Sequence, residues 1–176
     1  ARILQFFPGV TMTVSLDRQV IVHLDWGNHL WEHSAEGEII LAGVSGVSRS
    51  LAVYYGTPST LWVRVLGKGN EPISLSPANG ITAADVSPDL QSAVTASPGI
   101  LEFWNLATGE VVGSIGLDNG PGSTVSGVRY LPDGLEVVVA RSDGRLERWD
   151  VRNGRITGEF VGHADSITSL EVSPDG

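Results

Sequence analysis

The sequence contains no cysteine, which excludes disulfide bonds and thiolate-ligated zinc and leaves the redox compartment open. No apolar run approaches the eighteen or more residues of a membrane-spanning helix. Basic residues are few and scattered, with 11 Lys and Arg against 20 Asp and Glu and a formal net charge of −9. Nucleic-acid binding draws much of its affinity from neutralising phosphates. We therefore expect neither a membrane-spanning protein nor a nucleic-acid partner.

A sustained 3.6-residue apolar period is also missing, so we expect almost no helix. Short apolar segments instead alternate with residues that favour turns, which is typical of an all-β chain. Pro presets the backbone for a turn, Asp accepts local hydrogen bonds and Gly tolerates positive φ. The segment 131–134, Leu-Pro-Asp-Gly, therefore predicts a hairpin connection between two strands.

This turn phrase recurs along the chain. Pro-Asp occurs at 88–89, 132–133 and 174–175, with the prolines 44 and 42 residues apart. Between these turns, Trp104-Asn105 and Trp149-Asp150 lie 45 residues apart. Repetition at this period with a Trp-Asp-like dipeptide resembles the WD-repeat β-propeller family. The resemblance is carried by motifs over 81–176 and by spacing alone over 1–80.

The resemblance implies an all-β propeller of four-stranded antiparallel blades. We place blades at about 1–34, 38–76, 81–116 and 124–161, with the inner strand of a fifth at 167–173 within 167–176. Their third strands then end at Asp25, Val65, Asn105 and Asp150, in regular steps of 40, 40 and 45. Because both ends of the chain fall on an inner strand, we expect a piece of a larger ring, commonly seven-bladed in this family. The open blade faces would contact the remaining blades of the same chain or associate with another copy.

The family resemblance also implies structural roles for four side chains. Its blades are often braced by a His before the inner strand, a Ser or Thr on the second strand, an Asp in the next turn and a Trp on the third strand. By position, Asp143 and Trp149 match in the fourth blade, Trp104 in the third, and His163 of the Gly-His pair before a fifth. The remaining places in blades three and four hold Val94, Pro98 and Val139. No blade has the full set, so we expect apolar packing to hold the blades together.

One segment, His29-Leu-Trp-Glu-His33, matches the H-x-x-E-H pattern of some zinc proteases. Two such His share a metal only on a helix, where residues four apart lie on one face. Here a strand is expected, which separates them by roughly 13 Å. We therefore predict no metal site there, and no cofactor elsewhere.

The function predicted from these patterns is a non-enzymatic scaffold that docks a protein or peptide. Turns between second and third strands, and connections between blades, vary in length and chemistry and share one side of a propeller. They contain our candidate partner-binding residues, Arg18, Asp118, Arg141 and Asp165. Two alternatives stay open: an enzyme or cofactor-binding propeller of the quinoprotein type, and the sensor part of a longer multidomain protein.

Overall fold

The computed structural model describes residues 2–7, 10–14, 19–24, 29–34, 38–47, 50–66, 71–118, 123–160, 163–173 and 175–176. Side chains are described for residues 34, 38–45 and 51 onward within those ranges. The described residues form strands and turns without a helix. No helix among them is long and apolar enough to cross a membrane.

In the described residues, sixteen strands form four antiparallel sheets, each built from four consecutive strands. The predicted fold, a series of four-stranded propeller blades, is confirmed. Blade one contains β1 (Arg2–Phe7), β2 (Val10–Val14), β3 (Gln19–Leu24) and β4 (His29–Ser34), and blade two contains β5 (Leu41–Val47), β6 (Ser50–Gly56), β7 (Leu61–Val65) and β8 (Ile73–Leu75). Blade three contains β9 (Ala83–Val86), β10 (Ser92–Ser97), β11 (Ile100–Asn105) and β12 (Val111–Gly116), and blade four contains β13 (Val125–Tyr130), β14 (Glu136–Arg141), β15 (Leu146–Asp150) and β16 (Arg155–Phe160).

The repeated Pro-Asp phrase forms the same turn in blades three and four. The N–H of Gly134 donates to Leu131 O at 2.9 Å, and the N–H of Leu90 donates to Ser87 O at 2.9 Å. Gly134 has φ 69° and Leu90 has φ 59°, a left-handed conformation that costs a non-glycine residue energy. Leu90 is 6% exposed in the apolar cluster between blades two and three. Its burial offsets the backbone strain.

Two apolar clusters join the blades for which side chains are described. One lies between blades two and three and includes Leu61, Leu75 and Trp104. The other lies between blades three and four and includes Leu101, Phe103 and Trp149. Fully burying a large apolar side chain contributes about 1.5–3 kcal/mol. Packing between blades therefore contributes to the stability of the fold.

A buried carboxylate adds a polar link across three blades. Asp85 of β9 accepts a hydrogen bond from the Tyr54 hydroxyl of β6 at 2.8 Å and from the Tyr130 N–H of β13 at 2.8 Å. Burial raises the pKa of Asp85, while the Arg129 charge and these hydrogen bonds oppose the rise. Because the two acceptor oxygens serve different blades, Asp85 links β6 of blade two, β9 of blade three and β13 of blade four.

Two local expectations have different outcomes. The H-x-x-E-H segment forms β4, whose backbone pairs His33 with Val20 and His29 with Leu24 of β3, so the predicted strand is confirmed. The predicted inner strand at 167–173 is not formed: these residues have no strand assignment. The N–H of Ile167 donates to Arg141 O at 3.4 Å. A strand requires a hydrogen-bonded ladder, and no described strand pairs with this segment.

Candidate partner-binding face

In the described part of the chain, the turns between second and third strands contact the connections between blades at blades two and four, and we call this side of the blades the loop face. The N–H of Ile81, between blades two and three, donates to Pro58 O in the blade-two turn at 2.8 Å. Between blades three and four, the N–H of Thr124 donates to Ser142 Oγ in the blade-four turn at 2.9 Å. The loops predicted to share one side are therefore in direct contact.

At blade four, the loop face is locked by a close backbone approach. Gly144 has φ 87°, and a Cβ added there would lie 2.6 Å from His163 O and 2.9 Å from Asp165 O. Only glycine fits this space, because these neighbours are backbone atoms. The hairpin turn 141–145 therefore holds the segment 163–165 in place.

The exposed charges on this part of the loop face are mostly acidic. Asp118, Asp143 and Asp165 are exposed, together with Arg145. Arg145 Nε donates to Asp143 Oδ2 at 2.9 Å, and this hydrogen bond is the main cause that lowers the pKa of Asp143 to about 2. The same hydrogen bond raises the pKa of Arg145, and the charges of Asp143, Glu147 and Asp118 add to the effect. Arg145 thus interacts electrostatically with both Asp118 and Asp143.

Arg141 is not an exposed contact residue, which corrects the sequence-based expectation. Its side chain is 1% exposed. Arg141 Nε and Nη2 donate to Glu147 Oε2 at 3.1 and 2.9 Å, and Arg145 Nη1 donates to Glu147 Oε1 at 3.3 Å. The position of Arg141 at the end of β14 suggested exposure. Its guanidinium instead turns inward because a buried carboxylate is available on the adjacent strand.

The tryptophan interactions also differ from the expected set. In blade four, the indole N–H of Trp149 donates to Glu147 Oε2 at 3.0 Å, whereas the side chain of Asp143 hydrogen-bonds to Arg145. Asp143 is thus not the polar partner of Trp149 that its turn position suggested. Both Trp149 and Trp104 are buried, at 7% and 6% exposure.

In blade three, the indole N–H of Trp104 donates to Thr95 Oγ1 at 2.9 Å. The strand-two position of the family's set is therefore held by Thr95 and not by Val94. The position equivalent to Thr95 in blade four is Val139, since Trp104 pairs with Ala93 and Trp149 with Val137. The prediction that placed Val94 at this position of blade three was therefore wrong by one residue.

A polar cavity of about 200 Å³ lies beside the loop face. Arg129 lines it, and its guanidinium donates to Val128 O at 3.1 Å and contacts Glu171 at 3.6 Å. The other lining residues include the first residues of inner strands and the segment after blade four: Ala42, Thr82, Ala83, Ser126, Gly127 and Thr168. Small side chains and hydroxyl groups leave this space open and water-accessible.

The remaining candidates are placed as follows. Asp165 and His163 are exposed in the segment that contacts Gly144. Arg18 lies outside the described residues. No group of three or more His, Asp or Glu residues that could hold a metal occurs in the described part of the chain.

Sequence reasoning missed two buried polar groups, Glu147 and Asp85. Asp85 had a signal, because it is the acidic residue of an otherwise apolar strand, whereas Glu147 lies in a strand that also contains Arg148 and Asp150 and had no such signal. A buried charge needs partners, so such positions predict hydrogen-bonded networks. Both serve stability, and neither lies among the exposed groups of the loop face.

Comparison with known proteins supports the blade assignment. No family model matches the chain. It is 34% identical over 109 residues to actin-interacting protein 1-2 of Arabidopsis thaliana, covering 61% of this chain and 16% of that protein. It is 28% identical over 135 residues to a U3 small nucleolar RNA-associated protein 21 homolog of Schizosaccharomyces pombe, covering 76% of this chain and 14% of that protein.

An uncharacterized WD repeat-containing protein of the same yeast is 35% identical over 48 residues, which are 27% of this chain and 12% of that protein. The chain thus spans between 12% and 16% of the length of these three relatives. Matches of this extent do not carry over the activity of any whole relative. Together with four consecutive four-stranded sheets in the described part of the chain, they show that the chain is similar to WD-repeat β-propeller proteins.

Proposed function

We propose that the chain is a protein-interaction scaffold whose loop face docks a basic segment of a partner protein. Interaction scaffolding is the general role suggested by its WD-repeat relatives, and the choice of face and partner chemistry is ours. The observation that carries the proposal is the contrast between a rigid interior and an exposed, acidic border.

The rigid interior is supplied by the inter-blade clusters and by Asp85. A binding surface mounted on packed strands loses little entropy when a partner docks. The loop connections are fixed in turn by backbone hydrogen bonds and by the close approach at Gly144. This pre-organised surface supports recognition by loops.

The charge of the surface supports a basic partner. On the described loop face of blade four and its neighbours, Asp118, Asp143 and Asp165 are exposed against one exposed cation, Arg145. The net charge of −9 has the same sign. Such a field attracts cationic segments and raises their association rate, an effect that salt screens.

The test is charge reversal at Asp118 and Asp165 in the full-length protein. Asp118→Lys with Asp165→Lys should weaken binding to arrayed basic peptides by about tenfold at low salt, with a smaller effect at high salt. The matched control, Glu71→Lys with Asp133→Lys, makes the same change in net charge on the opposite side, where both residues are exposed, and should leave binding unchanged. Loss of binding in the control alone would show that the wrong face had been chosen.

A further inference from the structure

The outer edge of blade three differs from the other outer edges. The outermost strand of each blade has one side without a neighbour, and natural sheets protect such edges with charged residues or by being short. β16 carries Arg155 and Glu159, β4 carries Glu32, and β8 has only three residues. β12 has six residues, Val-Val-Gly-Ser-Ile-Gly, and no charge. It lacks the usual protection.

The edge of β12 is also open. Val111 is 46% exposed and Val112 is 63% exposed. A Cβ added at Gly113 or Gly116 would meet nothing within 4 Å. Hence nothing in the described part of the chain packs over Gly113 or Gly116, whereas Ile115 is buried in the apolar cluster between blades three and four.

The hydrogen-bond register shows which backbone groups remain for a new strand. The N–H of Leu117 donates to Gly99 O at 2.9 Å, and Ile115 pairs with Leu101 and Ser114 with Glu102. Antiparallel pairs alternate between hydrogen-bonded and non-hydrogen-bonded. The backbone groups of Ile115 therefore point to β11, and those of Ser114 and Gly116 point outward.

We propose that β12 pairs with an extended, mostly apolar peptide segment that carries a basic residue at each end. Main-chain hydrogen bonds to an exposed edge are an established mode of peptide recognition. Glu110 precedes the strand and Asp118 follows it, and both are exposed. These carboxylates lie roughly 26 Å apart along an extended chain, at about 3.3 Å per residue. A segment of about nine residues matches that span.

A second copy of this chain fits the same edge poorly. Antiparallel self-pairing centred on Ser114 aligns its outward-facing backbone with itself and places Glu110 opposite Asp118 of the other copy. Like charges directly opposite each other destabilise strand pairs. Charge complementarity therefore selects a peptide with basic ends.

The experiment measures anisotropy of a labelled peptide of alternating valine and threonine, about nine residues long, with lysine at both ends. The unmodified full-length protein should bind it, and a peptide ending in glutamate should bind about tenfold more weakly at low salt. Ser114→Pro removes one outward N–H without breaking the ladder to β11, and should weaken binding at least about tenfold. The matched change in blade four, Glu159→Pro, should not alter it.

A second pair of variants leaves the backbone intact. Val111 and Ile156 occupy equivalent positions, opposite Trp104 and Trp149. Val111→Lys should weaken binding of the lysine-ended peptide about tenfold through repulsion, whereas Ile156→Lys should not. The proposal would be overturned if the β12 variant and the β16 variant of either pair had equal effects, or if both peptides bound equally. It would also be overturned by self-association through β12 without peptide binding. Ser114→Pro and Val111→Lys lie within β12, away from the loop-face turns, so loop-face binding should persist in them.

Discussion

The buried pair Arg141–Glu147 gives the sharpest test of how blade four is stabilised. The two side chains are 1% and 3% exposed, and the charged nitrogen lies 2.9 Å from the carboxylate oxygen. Arg141→Met keeps the apolar stem and removes the charge. Glu147 then keeps only Trp149 and the half-exposed Arg145 as partners. Removing one member of a buried pair costs about 3–5 kcal/mol.

A double variant separates the interaction energy of Arg141 and Glu147 from the effects of the two single substitutions. Glu147→Gln retains an oxygen that can accept from the Trp149 indole N–H, but it leaves Arg141 without its carboxylate. Arg141→Met with Glu147→Gln contains neither buried charge. We therefore expect it to lose at least about 2 kcal/mol less than the sum of the single losses.

Urea denaturation of the unmodified protein, the two single variants and the double variant measures this coupling. The comparison holds if the slope of the unfolding free energy against urea concentration is the same for all four. Arg155→Met, on the exposed strand β16, is the control and should change stability by less than about 0.5 kcal/mol. Additive single losses would refute the reasoning, because two groups in direct contact should not act independently. A neutral Arg141→Met would show that the guanidinium is not buried in solution.

Three further predictions follow from the same geometry. Trp149→Ala should reduce the free energy of unfolding by about 3–5 kcal/mol, and a loss no larger than that of Lys68→Ala would contradict its burial. Glu102→Met should raise the denaturation midpoint, since Glu102 Oε2 is buried without a hydrogen-bond partner and an unsatisfied group costs about 1–3 kcal/mol; a lower midpoint would count against this. Carboxyl NMR should give Asp143 a pKa of about 2, so the Asp143–Arg145 interaction is present above the ordinary value of 3.8 and is lost as the pH falls through 2; Arg145→Gln should return the pKa towards 3.8, and no change would exclude the hydrogen bond as its cause.

The strand architecture could be predicted because each signal was local and repeated. The Pro-Asp turns set the hairpins, and the third strands end at Val65, Asn105 and Asp150 as the spacing predicted. Face assignments were less secure, because a shift of one residue turns a side chain to the opposite face of a sheet. Thr95 was missed for this reason. Arg141 was misplaced because its partner, Glu147, is on another strand and depends on the hairpin register.

Blades three and four satisfy the same buried donor in different ways, which explains their unequal networks. A buried indole N–H requires an acceptor. In blade three, Thr95 accepts from Trp104, and the acidic residue that pairs with Thr95 across the hairpin, Glu102, is not needed as an acceptor.

In blade four, Val139 stands where Thr95 would be, so Trp149 uses Glu147 instead. A buried carboxylate used in this way needs a cation, and Arg141 supplies it where blade three has Ser97. Blade three therefore keeps the equivalent acid without its cation, which accounts for the unpartnered oxygen of Glu102. The variant Ser97→Arg would supply the arginine that blade three lacks, but it would remove the Ser97 hydrogen bond to Gly80 O and add volume to a packed site. Replacing Glu102 is therefore the less disruptive change.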